Sequence, residues 1–237
     1  YGYGYGYGLD PTIILVLIGV ALSLWAQGRV NSTFSRYSRV RSMTGMTGAE
    51  AARRLLNAQG IYDVTVQQIA GELTDHYDPR TKTVNLSQSV YGATSVAAIG
   101  VAAHECGHAM QDNEGYAPLR FRSALVPVAN FGSSLSWPLI LLGLVFGGLG
   151  SPLVEIGILM FSLAVLFQLV TLPVEYNASA RAVRLLDAQG ILAGEEVNGT
   201  RKVLNAAALT YVAAAATSIL QLLRLIILFG GRNRRDR

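Results

Sequence analysis

Five consecutive residues carry the clearest chemistry in this sequence: His104-Glu105-Cys106-Gly107-His108. On a helix, positions i and i+4 lie one turn apart on the same face, so both imidazoles can reach one metal ion at about 2.0–2.1 Å. Glu105 stands to the side of that pair, placed to take a proton from a metal-activated water and pass it to a leaving amine. The spacing is that of HExxH sites, and it predicts one Zn2+ per chain with Glu105 as the catalytic base. Two of the three histidines in the chain fall within these five residues. The surrounding run, VAAIGVAAHECGHAMQ, is apolar enough for burial. Burying three ionisable groups unpaired in such a helix would be costly, which favours a metal-binding reading. Cys106 lies two residues from His104 and points elsewhere, so packing is its expected role.

A catalytic zinc needs a third protein ligand and an open fourth position. Three acids compete for that role. Glu114 stands where the extended HExxHxxGxxH pattern puts its third ligand, but Gln111 occupies the position that pattern gives to Gly. Asp187, in LLDAQG, would suit an intramembrane protease of the site-2 type, yet it lacks that ligand's Gly and sits in a polar helix. Glu175, in PVEYNASARA, begins a helix directly after an apolar run, on the same expected membrane side as the HExxH helix. It is the preferred ligand, although the helix dipole alone would also favour an acid there. A site closed by a fourth ligand such as Glu114 would instead make the chain a zinc-stabilised scaffold without catalysis.

The elements that must position these residues alternate between greasy and ordinary segments. The chain has 237 residues, of which 51% are hydrophobic and 14% charged. Apolar runs of spanning length point to a polytopic membrane protein. Its net charge of +4 comes from cations scattered beside the apolar runs. No aromatic stacking platform lies between them, which excludes a nucleic-acid partner and fits the lipid bilayer. A single cysteine excludes an internal disulfide and fits a reducing compartment.

Six stretches follow. Residues 1–8, YGYGYGYG, form a low-complexity tail set apart from the fold. Residues 9–27 are a first span; no basic region precedes it, so it is expected to be a retained anchor. The polar segment 28–124 holds the HExxH helix. Within it, Thr47 and Glu50 form a capping box, and the helix this opens is expected to stop at Gly60. IYDVTVQQI and TKTVNL read as strands around a turn at Asp78-Pro79, and Thr94 or Ser95 caps the HExxH helix. Residues 125–173 form a transmembrane hairpin, its first arm broken by Pro127 and Pro138. Residues 174–204 return to ordinary polarity and hold Glu175. Residues 205–237 are an apolar helix with a basic tail. ARRLLNAQGI (52–61) and AVRLLDAQGI (182–191) are alike, and two similar Gly-capped helix ends explain this better than duplication. Ten Lys and Arg lie in 28–124, four in 181–202 and none in the hairpin turn. The positive-inside rule therefore puts both polar segments, and the site, in the cytoplasm. Exporting the tail RNRRDR would break that rule, which favours three spans and an interfacial last helix over four.

Three stretches carry a family resemblance: LTDHYDPRTKTVNLSQSVYGATSVAAIGVAAHECGHAMQ, YAPLRFRSALVPVAN and FQLVTLPVEYNASARA. Over roughly residues 10–229 the chain closely resembles the bacterial membrane zinc metallopeptidases of the YugP type. It is similar more widely to the gluzincin peptidases, in which a second helix supplies a Glu ligand, commonly with an Asp four residues on. The resemblance implies an α-rich fold with a gluzincin-like catalytic domain, a small antiparallel sheet and three or four transmembrane helices. It implies His104, His108 and Glu175 as zinc ligands, Glu105 as base, and a protein or peptide substrate; it names no partner protein. Ser179 stands where the Asp would be, so Ser179, Asn177 or a backbone carbonyl must orient a ligand histidine. The strand-like residues 81–86 are expected to bind extended substrate by strand addition. His76 and Tyr211 are candidates for stabilising the oxyanion. Arg181 and Arg184 are expected to form a solvated or headgroup-facing surface.

Overall fold

The computed structural model describes residues 10–148 and 151–229. The tail 1–8, the centre of the hairpin turn and the basic C-terminal tail lie outside the described residues. The elements run α1 (Ile13–Ser38), α2 (Gly48–Ala58), β1 (Thr65–Ile69), β2 (His76–Asp78), β3 (Thr83–Ser87), α3 (Gln88–Tyr91), α4 (Val96–Asn113), α5 (Ala117–Gly147), α6 (Pro152–Ala188) and α7 (Glu195–Phe229). One compact unit draws on Tyr1–Trp25, Leu125–Gln168 and Ala213–Arg237, the other on Ala26–Ala124 and Leu169–Val212.

In the first unit, apolar side chains such as Leu24, Phe131, Val145 and Phe146 are exposed. Such a surface suits hydrocarbon, and α1, α5, α6 and α7 are each long and apolar enough to cross a membrane. Small residues let these helices approach closely, as is usual where lipid tails compete for the same apolar surface. A Cβ on Gly132 would lie 2.7 Å from the Met160 carbonyl oxygen, and one on Gly157 2.8 Å from that of Ser136. Helix α5 runs unbroken through Pro127 and Pro138, contrary to the expected breaks. Each proline removes a single backbone donor, and a spanning helix tolerates that loss.

The last helix also differs from expectation. Helix α7 is one continuous element, and its apolar half runs antiparallel to α1: Thr217 donates to the Gly19 carbonyl at 3.1 Å, and Arg224 donates to Thr12 Oγ1 at 3.2 Å. Arg224, the charge within this apolar half, pairs with Asp10 at 3.4 Å. The chain therefore has four candidate spans.

The second unit holds a core of apolar side chains from α2, β3, α4, α6 and α7, among them Leu55, Leu86, Ile99, Leu186 and Leu204. Thr47 and Glu50 form the capping box of α2, and the Ser95 hydroxyl accepts from Ala98 N–H at the start of α4. The two similar sequences share one helix ending. Gly60 and Gly190 both have positive φ, and Ile61 and Ile191 each donate to a leucine carbonyl five residues back at 3.0 Å.

The sheet is mixed, with order β1-β3-β2. Strand β3 pairs in parallel with β1 and antiparallel with β2, so it is central and not an edge. Residues 81–86 therefore have no free backbone edge along β3 to receive a substrate strand. The polar face of β3 is covered from both sides: Gln67 donates to Asn85 Oδ1 at 2.6 Å, and Ser87 Oγ donates to Asp75 at 2.9 Å. The sheet is tied to α4 through Asp112, which accepts from Tyr77 at 2.8 Å and from Lys82 at 2.9 Å. Burial, and donation to that carboxylate, hold the Tyr77 phenol well above its ordinary range.

Helix α4 is seated by two glycines seven residues apart. A Cβ on Gly100 would lie 2.9 Å from Thr200 Cγ2 of α7, and one on Gly107 2.6 Å from the Ala178 carbonyl oxygen of α6. Gly107→Ala is expected to destabilise the protein by about 1–3 kcal/mol, because backbone cannot yield as a side-chain tip can. Gly28→Ala, where nothing lies within 4 Å, is expected to be neutral or to stabilise by up to ~1 kcal/mol. Thermal unfolding of both variants in detergent checks this; equal melting temperatures would mean that the α4–α6 approach is not tight.

Candidate active site

Two helices from distant parts of the chain build the site. From α4 come His104 and His108, whose rings meet edge to face with centroids 4.7 Å apart. From α6 comes Glu175, just past Pro173 and almost fully buried. Glu175 Oε2 lies 3.2 Å from His104 Nε2 and 3.5 Å from His108 Nε2. One donor atom from each residue falls within 4.8 Å of the others. Ligands around a tetrahedral ion with bonds of about 2.0–2.1 Å sit roughly 3.3–3.4 Å apart, so the two nitrogen–oxygen separations fit zinc.

The outer ring nitrogens are already engaged, which turns both Nε2 atoms toward the carboxylate. Ser179 Oγ lies 3.1 Å from His104 Nδ1. Gln111 Oε1 lies 3.0 Å from His108 Nδ1, and the amide of Gln111 donates to the Val174 carbonyl and to Asn177 Oδ1, both at 2.9 Å. Partners of this kind fix ring orientation and raise ligand basicity. Ser179 thus stands in for the absent Asp at His104. Gln111, marked in the sequence only as the wrong residue for a Gly turn, supports His108 and also joins α4 to α6.

The electrostatics favour a cation. Burial alone would lower the His108 pKa, but the hydrogen bond to Glu175 and the charge of Glu105 outweigh it and hold the imidazole above its ordinary value. Arg122 Nη2, on α5, lies 3.8 Å from Glu175 Oε1 and faces the oxygen turned away from the histidines. Nothing in the sequence singled out Arg122. Cys106 is buried, donates to the Ala52 carbonyl, and has its pKa pushed up by burial, as a packing residue would.

A cavity of about 260 Å³ opens beside the site. His104, Glu105, Glu175, Ser179, Tyr211 and Asp75 all line it. Asp75 was not foreseen; burial raises its carboxyl despite the hydrogen bonds it accepts from Ser87.

The remaining candidates lie elsewhere. His76 is exposed on β2, its ring 2.9 Å from the Thr74 carbonyl oxygen and 3.2 Å from Asn85 Nδ2, and it is not among the cavity-lining residues. Glu114 caps the end of α4 and takes a 2.6 Å hydrogen bond from Arg181, whose guanidinium is thereby committed and not simply solvated. Asp187 is exposed, and twelve residues along α6 from Glu175 place it about 18 Å away. Neither acid joins the histidines, so the closed four-ligand site and the Asp187 site both lack their defining residue.

Residues 12–230 match the model of a family described as "Putative neutral zinc metallopeptidase". The chain belongs to this family. It is also 49% identical over 217 residues to the "Putative membrane protease YugP" of Bacillus subtilis (strain 168), a match covering 92% of this chain and 96% of that protein. No solved structure matches the chain. Family membership and four candidate spans together make this a multi-pass membrane protein of the zinc-peptidase class.

Removing an outer partner should loosen metal without removing a ligand. Gln111→Leu and Ser179→Ala are each expected to weaken zinc binding about 10- to 100-fold. Competition against a chromophoric chelator measures this. Wild-type affinity in both variants would show that the imidazoles need no such support.

Proposed function

We propose that the chain is a zinc-dependent membrane metalloendopeptidase in which His104, His108 and Glu175 hold the metal and Glu105 is the general base. The observation that supports this most is the convergence of the two imidazoles on one buried carboxylate, with Glu105 opening onto the same cavity. The donor set, two neutral nitrogens and one carboxylate oxygen, is one that catalytic zinc uses with a fourth position open. Zinc bound there would polarise a scissile carbonyl and acidify a water molecule.

Each remaining role belongs to the chain's own side chains. Glu105, almost fully buried but lining the cavity, takes the proton released when water attacks the carbonyl carbon. It then gives that proton to the amide nitrogen as the C–N bond breaks. Tyr211, which lines the same cavity, offers its hydroxyl to the developing oxyanion. His76 is committed to Asn85 and stands outside the cavity lining. Ser179 and Gln111 hold the ligand rings so that the metal meets them without reorganisation. The substrate is an extended peptide or unfolded protein segment. The cations of 28–124 and 181–202 outnumber those at the C-terminus, which supports a cytoplasmic site.

Glu105→Gln is expected to keep zinc at the wild-type level while kcat on unfolded β-casein falls at least 10²-fold. Loss of zinc together with activity would make Glu105 a structural residue. Tyr211→Phe is expected to lower kcat about 10²- to 10³-fold with KM nearly unchanged. A rise in KM alone would instead make Tyr211 a substrate-binding residue.

A further inference from the structure

A larger cavity, of about 700 Å³, lies in the second unit outside the candidate active site. Two helical stripes form its walls. On α1, Arg29, Ser32, Thr33 and Arg36 recur at i, i+3, i+4 and i+7; on α7, Lys202, Asn205, Ala206 and Leu209 recur with the same spacing. Each set is therefore one continuous face. Tyr37 and Tyr176 complete the lining, which contains three cations and no acid. Arg29, Arg36 and Lys202 are exposed, and among the described residues none of them forms an ion pair. This contrasts with Arg80, Lys82, Arg122, Arg181 and Arg224, each of which faces a carboxylate.

The placement along the helix narrows the ligand. Arg29 comes three residues after the apolar run 12–26 ends, about 4.5 Å further along the same helix, and Arg36 lies about 10 Å beyond it. Those depths match the headgroup layer just outside the hydrocarbon. Ala206 and Leu209 give the cavity an apolar end toward the apolar half of α7, while the hydroxyls of Thr33, Tyr37 and Tyr176 supply neutral donors to an oxyanion. A concave site whose cations extend outward from an apolar end suits a molecule that is itself a phosphate on an apolar body.

We infer that the groove between α1 and α7, lined by Arg29, Arg36 and Lys202, binds the headgroup phosphate of an anionic phospholipid. Arg29, level with Ala206 across the antiparallel pair, holds the phosphate oxygens, Arg36 and Lys202 meet the more distal part of the headgroup, and Leu209 packs against the glycerol end. The site is separate from the peptidase reading and stands or falls independently of it.

The full-length chain is reconstituted in phosphatidylcholine nanodiscs carrying a trace of spin-labelled phosphatidylglycerol or spin-labelled phosphatidylcholine. The motionally restricted fraction of each label gives the relative affinity. Wild type is expected to prefer phosphatidylglycerol several-fold. Arg29→Gln combined with Arg36→Gln should reduce that preference about tenfold or to parity. Arg39→Gln combined with Arg80→Gln, which alters two cations outside the groove, should leave it unchanged, and melting temperatures confirm that all proteins are folded. Retained preference in the groove variant, or equal losses in both variants, would overturn the assignment. So would displacement of the labelled lipid by millimolar inorganic phosphate, which would transfer the site to a soluble phosphate ligand.

Discussion

Glu175 Oε2 lies 3.2 Å from His104 Nε2 and 3.5 Å from His108 Nε2, and these atoms come from two helices far apart in the chain. That contact sets the demands on the rest of the second unit. A carboxylate can be buried beside two imidazoles only if the helix backbones come close, and Gly107 against Ala178 is where they do. A side chain at position 107 would push α6 away and carry Glu175 with it. The amide of Gln111 bridges the same two helices, so one residue both orients the His108 ring and fixes the distance to its partner helix.

The surrounding fold holds α4 from every side. The sheet anchors its far end through Asp112, the Ser95 hydroxyl caps its start, and Cys106 and the alanines of α4 pack into the core shared with α2. A site made this way is preorganised, and preorganised donors cost no rearrangement when charge develops. The buried acid Glu175 is tolerable because polar and cationic partners compensate it; Arg122 faces it from the side away from the histidines. The apolar candidate spans serve a separate purpose, and their exposed faces suit lipid.

Much of this was legible because it is written in local patterns. The i, i+4 histidines, the Thr47–Glu50 capping box and the glycine helix ends each depend on residues within a turn of one another. Glu175 was legible for a different reason, as an acid standing where an apolar run gives way to a polar helix. What stayed hidden depends on how elements cross. Gln111 orients His108 only because α6 presents Val174 and Asn177 to its amide, which no spacing within α4 could reveal. In β3, Thr83, Asn85 and Ser87 alternate with Val84 and Leu86 and so read as a half-exposed strand. All five are buried, and the side chains of Gln67 and Asp75 reach over the polar face to Asn85 and Ser87. The last helix misled in the same way: its basic tail argued against a fourth span, yet α7 is long and apolar enough to cross, and Asp10 and Thr12 meet its Arg224 at the start of α1.

The most direct test of the two-His, one-Glu centre is zinc content per chain, measured on purified wild type and Glu175→Ala in detergent without chelator. The structure predicts about one zinc per wild-type chain and a large loss in the variant, with the variant still folded by its melting transition. Undiminished zinc in a folded Glu175→Ala protein would mean that the carboxylate at the centre of this arrangement does not hold the metal, and the proposed mechanism would fall with it.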